Sequence, residues 1–145
     1  MKVKIKKLNE KAVLPTYGSP YAAGCDLYAC ADADIKIQSG ETVLIHTGVA
    51  MELPVGYVGL VYARSGLATK KGLAPANKVG VVDCDYRGEI MVSLHNHSKI
   101  EQTVAAGDRI AQFVIAPYIT AEFEETENLS DTVRGAGGFG STGMK

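Results

Sequence analysis

The sequence predicts an all-β domain, either a barrel or a sandwich. Short runs rich in β-branched and aromatic residues recur along the chain. Turn residues separate them at strand-length intervals, and only one stretch suits a helix, a short one. A chain of 145 residues with 46% hydrophobic content fits a single globular domain with its own core.

The elements follow in chain order. VKIKK at 3–7 alternates polar and apolar residues, as a strand does. AAGCDLYAC at 22–30 reads as a strand with Asp26 set among apolar neighbours. DIKIQ at 34–38, TVLIHTGV at 42–49 and YVGLVYA at 57–63 follow, and Ser65 to Lys71 is the short helix. Val81 and Val82 read as a buried strand, and EIMVSLHN at 89–96 and RIAQFVIAPYI at 109–119 close the set. Breaks fall at Ser39-Gly40, Pro54-Val55-Gly56, Tyr86-Arg87-Gly88 and Ala106-Gly107-Asp108. No internal repeat is present. The expected division is a β body over 1–120 and a tail over 121–145.

Composition excludes several function classes. A net charge of −1 argues against a nucleic-acid polymer as partner. No apolar run reaches membrane-spanning length, and MKVKIKKLNE lacks the apolar stretch of a secretion signal. Cys25, Cys30 and Cys84 are odd in number and lack CxxC spacing, which reads as reduced thiols in a cytoplasmic protein.

The tail has two parts. Residues 121–133 carry five acids and no base, an expected solvated segment. Extended, the fourteen residues from Ala121 to Arg134 reach roughly 45–50 Å, enough to arrive on another subunit. RGAGGFGSTG at 134–143 has five glycines in ten residues and no apolar periodicity. Glycines let backbone N–H groups converge on an anion. Arg134, Ser141 and Thr142 add donors for phosphate, and Phe139 offers a flat face for a base or sugar. A flexible tail is the plainer reading. It is no Walker loop, which continues through Lys-Ser/Thr into a helix.

Within the body, GVVDCDYRGEI at 80–90 places Asp83 and Asp85 on either side of Cys84. Either acid is a candidate to orient a water, ionised at neutral pH and valuable for position more than basicity. The alternative is a turn whose acids bond local backbone. ARSGLA at 63–68 sets Arg64, Ser65 and Gly66 where a strand enters the helix, an anion site or a plain N-cap serine with a surface arginine. Gln112 interrupts an apolar series and is a candidate phosphate donor; Arg109 reads as a structural partner. Asp26 needs a partner if buried, and a salt bridge is the default. His95 and His97 share a strand face, with no third metal ligand apparent nearby.

Taken in order, AAGCDLYA, ARSGLA, GVVDCDYRGEI, GDRIAQFVI and RGAGGFGSTG resemble the five motifs of the trimeric deoxyuridine triphosphate nucleotidohydrolases, from Ala22 to Gly143. The resemblance implies a distorted jelly-roll-like β-barrel, a homotrimer with shared active sites and a closing C-terminal arm. It implies hydrolysis of dUTP to dUMP and pyrophosphate with Mg²⁺ held by the triphosphate and waters, which keeps uracil out of DNA and supplies dUMP for thymidylate synthesis. Asp83 would hold the attacking water, and Tyr86 would lie under the deoxyribose. The hairpin from Asn77 to Val82 would read uracil. Arg64, Ser65, Gly66 and Gln112 would hold phosphates from a neighbouring subunit. Arg134, Phe139, Gly140, Ser141 and Thr142 would close the site, with Asp26 behind, near the metal waters or an arginine. Cys25, Lys70-Lys71 and Ala136 depart from the usual pattern. A deoxycytidine triphosphate deaminase is the nearest rival.

Overall fold

A computed structural model describes residues 1–138, which form twelve strands and one helix. The strands are β1 (Lys4–Lys7), β2 (Thr16–Tyr17), β3 (Gly24–Tyr28), β4 (Ile35–Ile37), β5 (Thr42–His46), β6 (Val49–Glu52) and β7 (Tyr57–Tyr62). After α1 (Ser65–Lys71) come β8 (Leu73–Pro75), β9 (Gly80–Val82), β10 (Met91–Asn96), β11 (Gln102–Val104) and β12 (Arg109–Pro117). Every pairing is antiparallel. The largest sheet runs β2-β3-β12-β7-β9, and a second runs β5-β10-β8. Two-stranded ribbons, β1-β6 and β11-β4, complete the fold. The expected barrel is therefore distorted: its strands fall into four hydrogen-bonded groups, with no single closed ladder among the described residues.

Alternation fixes which residues turn inward. On β10, Val92, Leu94 and Asn96 are buried while Met91, Ser93 and His95 face outward. Facing residues Leu27, Ile37, Ile45, Leu73, Ile110 and Phe113 join them in one core. A Cβ on Gly59 would come within 2.1 Å of the Phe113 ring, so glycine is required where β7 passes under that ring. Asn96 is fully buried, yet its amide donates to the carbonyls of Ile37 and Ile100 and accepts from Ser98.

The helix occupies its expected span. Gly72, at φ 66°, ends it in the left-handed conformation, with its N–H returned to Ala68. The helix N-cap is Arg64, and no side chain caps it, so the N-cap serine reading of Ser65 is corrected. The expected strand over 42–49 stops at His46, and a second strand, β6, starts at Val49 and runs on to Glu52. Gly48, at φ 69°, turns the chain between them, and the Thr47 hydroxyl donates to the Ile90 carbonyl. The expected hairpin over Asn77–Val82 is an arch: β8 pairs with β10 and β9 with β7, so its two arms join different sheets. Val81, expected to be buried, is 64% exposed because β9 is an edge strand with that face uncovered. Strands β2, β8 and β11 were not expected.

Among the described residues nothing after Pro117 is helix or strand. Ile119, Phe123 and Leu129 are exposed along this segment. No helix among them is long and apolar enough to cross a membrane.

Candidate active site

The turn after β9 is built by its own backbone. Tyr86 N–H donates to the Asp83 carbonyl at 3.2 Å, and Arg87 donates to the Cys84 carbonyl at 2.7 Å. Arg87 thus closes the turn and leaves the Asp83 side chain exposed. The Tyr86 hydroxyl donates to the Glu89 carbonyl at 3.0 Å. Its ring lies over Gly88, where a Cβ would sit 2.3 Å from the hydroxyl oxygen. The ring is thus held at both ends of a short loop.

Asp83, Tyr86 and Glu89 line a hollow of about 240 Å³ with Leu44, Val81 and Met91. A second hollow of about 210 Å³ shares Leu44, Val81, Val82 and Met91 and adds Asn77, Gly80 and Ser93. The shared lining makes them two halves of one groove, polar acid at one end and open backbone at the other. The arch at that far end is tight. Lys78 takes φ 64°, and Val79 N–H donates to the Asn77 carbonyl at 2.7 Å. The Asn77 amide lies 3.2 Å from where a Gly80 Cβ would be, so the residue there must be small.

A different region holds the cations. Arg64, Gly66, Lys70, Lys71 and Arg109 line a cavity of about 320 Å³ together with Leu67 and Asp108. Asp26, 6% exposed, organises it. Arg64 Nε donates to Asp26 Oδ1 at 2.7 Å and Arg109 donates to Oδ2 at 3.2 Å. Arg64 also donates to the Arg109 carbonyl at 3.2 Å. A β-bulge between Arg109 and Ala111 permits this, because it shifts the register so that Gln112 sits beside Asp26. The salt bridge expected of Asp26 and the structural pairing expected of Arg109 are thus one feature. Ser65 and Gly66 are exposed at the start of α1. The groove and the cationic cavity share no lining residue.

Arg134 donates to the Gly137 carbonyl at 2.8 Å within its own loop and lies on the exposed tail. Phe139, Gly140, Ser141 and Thr142 lie outside the described residues. The His95 and His97 rings are 4.3 Å apart, and Thr42 hydrogen-bonds His95 Nδ1 at 2.8 Å. No set of three metal-ligating side chains gathers among the described residues.

Sequence reading missed Glu89. Its carboxylate accepts the Gly48 N–H at 2.7 Å and meets His46 Nδ1 at 2.8 Å. Burial pushes its pKa up, but the His46 and Gly48 bonds outweigh burial and hold it below the ordinary value. The only signal in the chain is an acid directly after the Tyr-Arg-Gly turn.

The acid that follows edge strand β9, the clamped Tyr86, the Asn77–Gly80 arch and the arginine pair on Asp26 all lie on one all-β body. The chain belongs to the dUTPase family, which it matches over residues 10–143. It is 53% identical over 143 residues to a deoxyuridine 5′-triphosphate nucleotidohydrolase of Nautilia profundicola, covering 99% of each chain. The fold is similar to the dUTPase of Staphylococcus bacteriophage 80alpha, solved with dUpNHpp, with a TM-score of 0.86 and 28% identity over 98% of each chain. It is also similar to a variant dUTPase from phage phi11 of Staphylococcus aureus, whose structure concerns a structural Mg(II) ion. There the TM-score is 0.79 and the identity 26%, covering 88% of this chain and 98% of that one.

Proposed function

We propose that this chain hydrolyses dUTP to dUMP and pyrophosphate, with Asp83 orienting the attacking water. The observation that carries the reading is the single groove with Asp83 and Tyr86 at one end and the Asn77–Gly80 arch at the other. Its geometry suits a nucleoside. The arch offers backbone donors and acceptors to a pyrimidine edge, and a base with mismatched polar groups leaves them unpaired at high cost. The Tyr86 ring lies beneath the sugar and leaves no space for a 2′-hydroxyl. The Asp83 carboxylate then faces the α-phosphorus, orienting a water in line and taking its proton.

Charge builds on the phosphate oxygens during attack. Arg64, Ser65, Gly66 and Gln112 hold those oxygens, Arg64 aimed by Asp26. Mg²⁺ would be held by the triphosphate and waters and would supply further neutralisation of that charge. Oxygen donors from phosphate and water match its preference, and Asp26 is already engaged by two arginines.

The separation of groove from cationic cavity supports a site completed by a second copy in a homotrimer. The exposed Ile119 and Phe123 support a tail that packs on a neighbour. An apolar hollow of about 390 Å³ lined by Val3, Ile5, Leu14, Tyr17 and Ile115 offers such side chains a seat. Arg134, Phe139, Gly140, Ser141 and Thr142 then close over the nucleotide, with Phe139 on the base. Pyrophosphate release across dUTP, UTP, dCTP and dTTP tests the reading. Release from dUTP alone is expected. Ammonia from dCTP in place of pyrophosphate from dUTP would assign the rival deaminase chemistry.

A further inference from the structure

We propose that Glu89 is a positioning residue for the choice of sugar, acting through Tyr86. The inference rests on the reading of Tyr86 as the floor beneath the deoxyribose and extends it to the residue that holds that ring in place.

Glu89 joins two parts of the chain far apart in sequence. Its backbone carbonyl accepts the Tyr86 hydroxyl at 3.0 Å. Its carboxylate reaches across to the corner between β5 and β6, where it takes the Gly48 N–H at 2.7 Å and His46 Nδ1 at 2.8 Å. The adjacent residue repeats the attachment. Ile90 N–H donates to the Val49 carbonyl at 2.9 Å, and the Thr47 hydroxyl donates to the Ile90 carbonyl. Residues 46–49 therefore grip residues 89–90 by four hydrogen bonds.

The gripping corner is itself close-packed against the core. Gly48 holds φ 69°, and a Cβ there would lie 2.7 Å from the Ala12 Cβ and 2.9 Å from the Cys30 sulfur. Ala12 and Val49 are core residues. The rail that carries the Glu89 carbonyl is thus fixed to the core, and the Tyr86 hydroxyl is fixed to the rail. Tyr86 is 43% exposed and its ring lines the groove on the other side. A ring held only by a flexible loop yields to an extra hydroxyl on the sugar; one tied to the core does not.

The experiment compares kcat/KM for dUTP and UTP in Glu89→Ala, Glu89→Gln, Tyr86→Phe, the Glu89→Ala/Tyr86→Phe double variant and Tyr86→Ala. Glu89→Ala is expected to lower the dUTP/UTP ratio about two- to tenfold, the worth of one intramolecular hydrogen bond. Glu89→Gln keeps an oxygen for the Gly48 N–H and an amide for His46, and should restore the ratio. Tyr86→Phe should lower it to a similar extent, and the double variant no further, since both changes cut one linkage. His46→Ala removes one bond from the exposed side and gives a smaller fall, so the proposal stays testable if Glu89→Ala does not fold. A Glu89→Ala enzyme slowed equally on both nucleotides has a structural glutamate only, and this overturns the proposal. A ratio that falls in Tyr86→Ala but in no Glu89 or His46 variant overturns the clamp and leaves the sugar floor standing. An unchanged ratio in Tyr86→Ala overturns both.

Discussion

Arg64 Nε donates to Asp26 Oδ1 at 2.7 Å while Arg109 holds the other oxygen of the same carboxylate at 3.2 Å. One buried anion thus sets the direction of two cations at the cationic cavity. Asp26→Asn keeps the shape but turns an amide N–H₂ toward one arginine. Stability should fall by about 1–3 kcal/mol, the cost of a disrupted charged hydrogen bond, read from urea denaturation. KM for dUTP should rise more than kcat falls, because Arg64 is loosened and not removed. An unaltered KM in a folded variant takes Arg64 off the phosphates.

Asp83→Asn tests whether Asp83 is the acid that orients the attacking water. The side chain is exposed in the groove, so the fold should be untouched. Turnover should fall by about 10²–10⁴, the usual loss with a general base, while dUTP affinity holds. Near-wild-type turnover moves the role to Asp85.

How far the sequence revealed this site depended on whether a residue's role was local. The span of α1 was legible because Gly72 must stop it, and β10 because six residues suffice to show a period of two. Strands β2, β8 and β11 span two or three residues and their flanks do not alternate, whereas the equally short β4 was legible because DIKIQ alternates around it. Val81 misled because paired valines signal a strand without saying which face is covered; β9 lies at a sheet edge. The need of Asp26 for a partner was legible, but its two arginines lie 38 and 83 residues away. Glu89 was invisible for the same reason, its partners lying 41 and 43 residues back.

Gly88 gives a second handle on the tyrosine. A Cβ at Gly88 would come within 2.3–2.9 Å of the Tyr86 ring end. Gly88→Ala should therefore break the bond from the Tyr86 hydroxyl to the Glu89 carbonyl and displace the ring, at a cost of about 0.5–1.5 kcal/mol. The dUTP/UTP ratio of kcat/KM should shrink toward that of Tyr86→Ala. A full ratio in Gly88→Ala would mean that the ring's place does not set sugar choice.

Glu89 also predicts an acid limb of stability. Its pKa in the folded chain lies below the ordinary 4.5, so the folded state favours the ionised form. That contribution is complete above the unfolded value and is lost as pH falls from there through the lower folded value. Glu89→Gln should flatten the fall in denaturation midpoint below about pH 4.5, and leave its slope above about pH 6 unchanged. An equal acid slope in both proteins assigns the limb to other carboxylates.

The final prediction concerns which chain supplies the arm. The groove with Asp83 and the cavity with Arg64 share no residue, and the exposed acidic segment before Arg134 has no core of its own. Two inactive proteins separate the possibilities: Asp83→Asn with its arm intact, and a truncation after Val133 with Asp83 intact. They are denatured together, refolded and assayed on dUTP, with mass analysis to establish mixed trimers. If arms cross between subunits, some sites draw Asp83 from the truncated chain and the arm from the other, and turnover returns. If each arm folds back on its own chain, every site in a mixed trimer lacks one part. The mixture then stays at the level of its two parents, and the shared site is ruled out.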